Sequence, residues 1–395
     1  MTEAASRRFA LFAYGFRPFF LAAGLSAVLV VPAWLTMVAQ GTMPLGALPP
    51  QLWHAHELFY GFVGAALAGF LLTAVPSWTG TKGFAGWPLA AVTSAWLLGR
   101  IAFALANVVP LWALAAAELA FLPSIAILLA PPLVRSRNRN TPLLFALAAL
   151  WITDAVFLAG LAREDPVLAS RSLRVAIDLM LLVVTIIGGR IVPSFTANAL
   201  RRRGEAPEVH SLPWLERGVI TLMAAVALVD LWQPDGVTAG WLAALVAVAQ
   251  ALRLSGWRSL RTRGEAILWV LHVGYAWIPI GFALKALWLL AGVAWAAHWL
   301  HALAMGVFGT MILAVTTRTA LGHTGRALTV SGAIAAAYVL LTLGVAARVL
   351  APGLWPLHYL WILLASGSLW TAAFTVYLIV YAPILTLARM DGKPG

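Results

Sequence analysis

The stretch from Trp53 to Pro76 reads WHAHELFYGFVGAALAGFLLTAVP. It opens on two histidines and a glutamate, then runs from Leu58 to Val75 without a charge. Crossing the bilayer core takes about 20 mostly apolar residues, so this segment reads as a transmembrane helix with a polar opening at one membrane face. Working outward, breaks at Pro, Gly and charge clusters give twelve segments of this kind. They lie near 17–39, 54–75, 88–108, 110–131, 142–162, 173–193, 217–233, 239–256, 266–290, 297–317, 329–350 and 358–387. The expectation is an all-α integral membrane protein, about twelve transmembrane helices in one domain over residues 1–395.

Composition agrees: 62% of residues are hydrophobic and 10% charged, against roughly 45–50% and 25% in soluble domains. The net charge of +12 does not point to nucleic acid, because the cations sit in short loops between apolar segments. Clusters such as Arg135, Arg137 and Arg139, Arg201 to Arg203, and Arg258, Arg261 and Arg263 fall on one side of a twelve-span topology. A positive excess marks the cytoplasmic side, which predicts a multi-pass membrane protein with both termini cytoplasmic. Arg7 and Arg8 precede a long apolar run with no small-residue cleavage site; it reads as a first helix rather than a removed signal. The absence of cysteine excludes disulfides, thiolate metal sites and covalent c-type haem attachment.

Val75-Pro-Ser-Trp-Thr79 at the end of helix 2 recurs as Val192-Pro-Ser-Phe-Thr196 at the end of helix 6. His56, Gly61, Gly64, Thr79 and Gly80 match His301, Gly306, Gly309, Thr324 and Gly325 at a constant offset of 245 residues. The pattern suggests three parallel four-helix repeats, 1–139, 140–263 and 264–395, because a shift of four helices preserves direction.

Polar groups inside a span are costly and are functional candidates by default. Helix 2 brings His54 and His56, and helix 10 brings His298 and His301, all at the same predicted depth. Two helices presenting histidines at one depth suit axial ligation of a haem or a multi-histidine copper site. Glu57 beside them is the candidate catalytic carboxylate, able to orient an imidazole or relay a proton; its alternative role is to stabilise the start of helix 2. A second polar layer toward the other face contains Arg190, His272, Arg318, His323 and Arg326. Arginine forks there suit carboxylates such as haem propionates, and His272 is a candidate ligand of a second metal. Arg100 and Lys285 lie deeper and need Asp154, Asp178, Glu118, a carbonyl or water as partners. No Walker loop, dinucleotide fingerprint or His-Glu-x-x-His motif is present.

At Gly15-Phe-Arg-Pro-Phe-Phe20, Trp53-His-Ala-His-Glu57, Leu71-Leu-Thr-Ala-Val-Pro76, Gly189-Arg-Ile-Val-Pro193 and Leu321-Gly-His-Thr-Gly-Arg326 the sequence resembles the NnrS family. That resemblance implies a haem- and copper-containing inner-membrane protein connected with nitric oxide and nitrosative stress. It implies haem b, with copper as a second cofactor, and singles out His54, His56, Glu57, Arg190, His272, His301, Arg318 and His323, while His298 is less typical. A likeness of fold alone links the helix 2 and helix 10 histidines to haem–copper oxidases, but helices 6 and 7 hold no histidine here. The expected function is haem-dependent binding and turnover of nitric oxide, with lipid and an electron donor as partners. The rivals are a transporter or channel for a metal, haem or anion, and a sensor or protective factor without turnover.

Overall fold

The computed structural model describes residues 9–41, 49–206 and 209–392; Arg7 and Arg8 lie outside them. Its described residues form twelve long helices, joined by no strand beyond an isolated bridge between Phe9 and Leu387. They are α1 (Phe16–Gln40), α2 (Pro50–Thr79), α3 (Trp87–Ala104), α4 (Leu111–Arg135), α5 (Leu143–Ala162) and α6 (Pro166–Arg202). Then follow α7 (Pro213–Trp232), α8 (Val237–Ser255), α9 (Ala266–Ala291), α10 (Ala294–His323), α11 (Gly332–Leu354) and α12 (Pro356–Thr386). The chain is an all-α integral membrane protein. Eleven of the helices are long and apolar enough to cross a membrane. The exception is α7, whose sequence carries Glu216, Arg217 and Asp230.

Two helices run past prolines that were expected to end them. Pro76 lies inside α2 and Pro193 inside α6. A proline removes one N–H, and in a span the local backbone is readily re-satisfied by hydroxyls and neighbours. Hydroxyls around Pro76 bond carbonyls other than the one it frees at Leu72: Thr73 donates to Gly69 O at 2.7 Å and Thr79 to Val75 O at 2.8 Å. In α6, Thr196 donates to Val192 O at 3.0 Å.

The chain forms two compact units. Unit 1 holds α1 to α5, the start of α6 to Ala176, Thr316–Leu328, and everything from Phe374 onward. Its ends are tied by Arg17, which is fully buried. The guanidinium donates to Ile384 O at 3.3 Å, Leu385 O at 3.0 Å and Leu387 O at 2.6 Å. A cation there answers the carbonyls left open at the C-terminal end of α12. Arg17→Gln should therefore lower stability by about 2 kcal/mol or more, since bonds to charged groups are worth ~1.5–3 kcal/mol each. An unchanged thermal unfolding midpoint in detergent would show that the tie is dispensable.

Unit 2 spans Ile177–Val315 and Thr329–Ala373. Its interior is also polar in places. Arg253 pairs with Glu216 and donates to Thr185 O at 2.8 Å and Tyr275 Oη at 2.6 Å. Lys285 pairs with Asp230, both about 1% exposed, and its ammonium lies 4.9 Å from the Trp299 ring centroid. The sequence reading had offered Lys285 other carboxylates; the one it reaches is on α7, where charge already lowers hydropathy.

Candidate functional site

The opening of α2 is an ordinary α-helix through His56, then widens into a π-helical turn over Glu57–Val63. Such turns shift the side-chain register and are frequent at functional sites. Here the turn leaves Gly61 O to accept from Trp96 Nε1 at 3.0 Å. His56, at its edge, is completely buried. Its ring is packed against Phe103 of α3 at 4.0 Å and Phe157 of α5 at 4.6 Å, so hydrocarbon surrounds much of it.

Both ring nitrogens meet carboxylates. Nδ1 lies 3.2 Å from Glu57 Oε1, and Nε2 lies 3.1 Å from Asp154 Oδ1 and 3.9 Å from Glu118 Oε1. Asp154 comes from α5 and Glu118 from α4; each is 2% exposed. Arg100 of α3 chelates Glu118 and donates to Glu57 Oε1 at 2.6 Å. Two glycines give it room. A Cβ at Gly61 would stand 3.1 Å from Arg100 Nη1, and one at Gly99 would collide with Glu118 Oε2.

The charge balance is uneven: three carboxylates face one guanidinium and one imidazole. A neutral imidazole donating from Nδ1 to Glu57 turns its Nε2 lone pair toward Asp154 Oδ1, an acceptor facing an acceptor. A proton or a cation must lie between them. The ligand atoms of His56, Glu118 and Asp154 all lie within 4.8 Å of one another. Two bonds of about 2.0–2.2 Å to one ion span at most about 4.4 Å, and His56 Nε2 lies 3.1 Å from Asp154 Oδ1 and 3.9 Å from Glu118 Oε1.

The remaining candidates are elsewhere. In unit 1, the His54 ring stacks on Trp34 at 4.1 Å, and His323 stacks on Tyr14 at 5.6 Å. Arg389 donates to His323 O at 2.6 Å and pairs with Asp391. In unit 2, both nitrogens of His272 are engaged, Nε2 with Thr196 Oγ1 and Nδ1 with Ser259 Oγ, each at 2.8 Å. Arg190 is exposed on α6. Arg318 is buried in unit 1. Arg326 lies in the loop after α10, where burial lowers its guanidinium from the ordinary value without removing its charge at neutral pH. His301 is half-buried in unit 2, its ring 6.4 Å from that of His298.

Sequence reasoning treated Asp154 and Glu118 only as partners for deep cations and missed them as neighbours of His56. The available signal was their place inside apolar spans, where a carboxylate is a functional candidate by default. What was missing was which helices pack on α2.

A family model described as NnrS protein matches residues 10–389, nearly the whole chain. No curated protein matches it.

Proposed function

The chain belongs to the NnrS family, and from that premise we propose that it is a metal-dependent membrane protein that binds nitric oxide and turns it over. The observation that supports this is the buried donor set of unit 1, one imidazole nitrogen and two carboxylate oxygens within 4.8 Å. Nitric oxide is small and apolar, so it partitions into the bilayer and reaches a buried centre without a hydrophilic channel. An N,O donor set of this kind suits copper(II) among other first-row ions. A bound redox ion would supply one-electron exchange with nitric oxide, and an external electron partner would complete turnover.

His56, Glu118 and Asp154 would hold the ion. Glu57 orients the imidazole through Nδ1, a contact that metal-ligating histidines commonly make. Arg100 fixes Glu57 and Glu118 in turn, while Phe103 and Phe157 keep water from the ring. Haem b on His56 does not fit this arrangement. A macrocycle set across the Nε2 direction would occupy the space of the Asp154 and Glu118 carboxylates, and one set across Nδ1 would displace Glu57. His54, His301 and His323 remain as candidates for haem b. The same reading assigns the chain to the bacterial inner membrane with both ends cytoplasmic, supported by the arginines of the loops.

The test uses the full chain purified in detergent, with metal analysis, a visible spectrum and a nitric oxide electrode. The expected result is about one transition-metal ion per chain and nitric oxide consumption that a chelator abolishes. A metal-free chain that does not consume nitric oxide overturns the proposal. Metal or haem uptake by vesicles would favour a transporter, and protection of cells without turnover would favour a sensor or protective factor. Glu57→Gln should keep the fold while weakening metal affinity and turnover by ~10–100-fold, as for other residues that orient ligands. Undiminished turnover would confine Glu57 to the start of α2.

A further inference from the structure

Several cations inside this protein are paired with carboxylates. Arg100 has Glu57 and Glu118, Arg253 has Glu216, and Lys285 has Asp230. Arg348, 6% exposed on α11 in unit 2, has none among the described residues. Its side-chain partners are neutral: Nη1 lies 3.2 Å from His298 Nδ1, and Nη2 donates to Tyr359 Oη at 3.0 Å. Leaving a buried charge without an opposite charge is strongly unfavourable, so the arrangement lacks an anion.

The hydrogen-bond polarity supports the same conclusion. His298 Nδ1 accepts from Arg348, which leaves Nε2 to carry the imidazole proton as a donor. Tyr359 Oη accepts from Arg348 and keeps its own O–H to give. Three guanidinium N–H groups also remain after those two bonds. The Tyr359 ring stacks on His298 at 5.9 Å, and the guanidinium carbon stands 5.4 Å from the Tyr359 ring centroid. The three side chains are therefore held together with more unused donors than acceptors.

We propose that Arg348, His298 and Tyr359 form a binding site for a small monovalent oxyanion of the nitrite or nitrate class. A planar guanidinium pairs with two oxygens of one anion through parallel N–H bonds, which favours a planar oxyanion over a spherical halide. The site stands independently of the metal reading, because it lies in unit 2 and needs no ion in unit 1. It also gives His298 a role that does not involve metal.

The experiment titrates the detergent-purified full chain calorimetrically with sodium nitrite, nitrate or chloride, at ionic strength held constant with gluconate. Saturable binding of nitrite or nitrate, tighter than chloride, is the expected result. Arg348→Gln should weaken it at least ~10-fold, since a hydrogen bond to a charged group is worth ~1.5–3 kcal/mol. Tyr359→Phe should weaken it a few-fold, and Arg261→Gln, which removes an exposed charge in the same unit, should not change it. Arg348→Gln removes the uncompensated charge, so its unfolding midpoint without anion should be no lower than that of the wild type. Equal binding by wild type and Arg348→Gln, or a response that follows ionic strength alone, overturns the proposal. So does a response only to vesicles containing phosphatidylglycerol and not to free anions, which would make a lipid phosphate the occupant.

Discussion

Asp154→Asn is expected to empty the centre of unit 1. The substitution keeps the size of the side chain but replaces an anionic donor with a neutral amide beside His56 Nε2, 3.1 Å away. Residues that only orient a ligand cost ~10–100-fold in metal affinity when removed, so loss of a direct donor should cost at least ~100-fold. Metal analysis of equal amounts of purified protein should show the wild-type content falling below about a tenth in Asp154→Asn and in His56→Gln, with helical circular dichroism retained. Wild-type metal content in both variants would mean that the cluster is a self-contained ion network and that any metal is held elsewhere.

Arg100→Leu carries the second large effect. It removes the single guanidinium that faces Glu57 and Glu118 inside the membrane, and breaking a buried pair by deleting one partner costs ~3–5 kcal/mol. The variant should fail to accumulate as folded protein, or unfold far earlier in detergent. Arg100→Lys should fall between, because an ammonium keeps the charge but cannot chelate Glu118 as a planar fork does. Adding Glu118→Leu to Arg100→Leu should recover part of the loss, since an apolar pair of matched volume leaves less uncompensated charge. If Arg100→Leu melts with the wild type, the carboxylates are not held by this arginine.

The two π-helical turns bear on the proposed repeat. Glu57–Val63 in α2 and Ala302–Gly309 in α10 fall at the offset of 245 residues that relates His56 to His301 in the sequence. An extra residue in a helical turn at matching places supports the proposal that α1–α4 and α9–α12 share an ancestral unit. Within the turns their chemistry diverges. Glu57 corresponds to Ala302 and Tyr60 to Met305, so the carboxylate that follows His56 has no counterpart after His301.

Membrane class, helix number and the approximate position of every span were legible in the sequence. Those properties follow from local hydropathy and from the length a bilayer requires, and neither depends on which helix neighbours which. The importance of His56 and Glu57 was legible for the same reason, since a polar group inside an apolar span stands out in one dimension. Helix ends at Pro76 and Pro193 were misjudged, because a proline stops a helix only where its freed carbonyl is left to water. Tertiary structure alone decided that Asp154 and Glu118 meet His56, that Lys285 meets Asp230, and that Arg348 meets no carboxylate among the described residues. Each of these joins residues on different helices, and apolar spans carry little in their own sequences to specify which of them pack together.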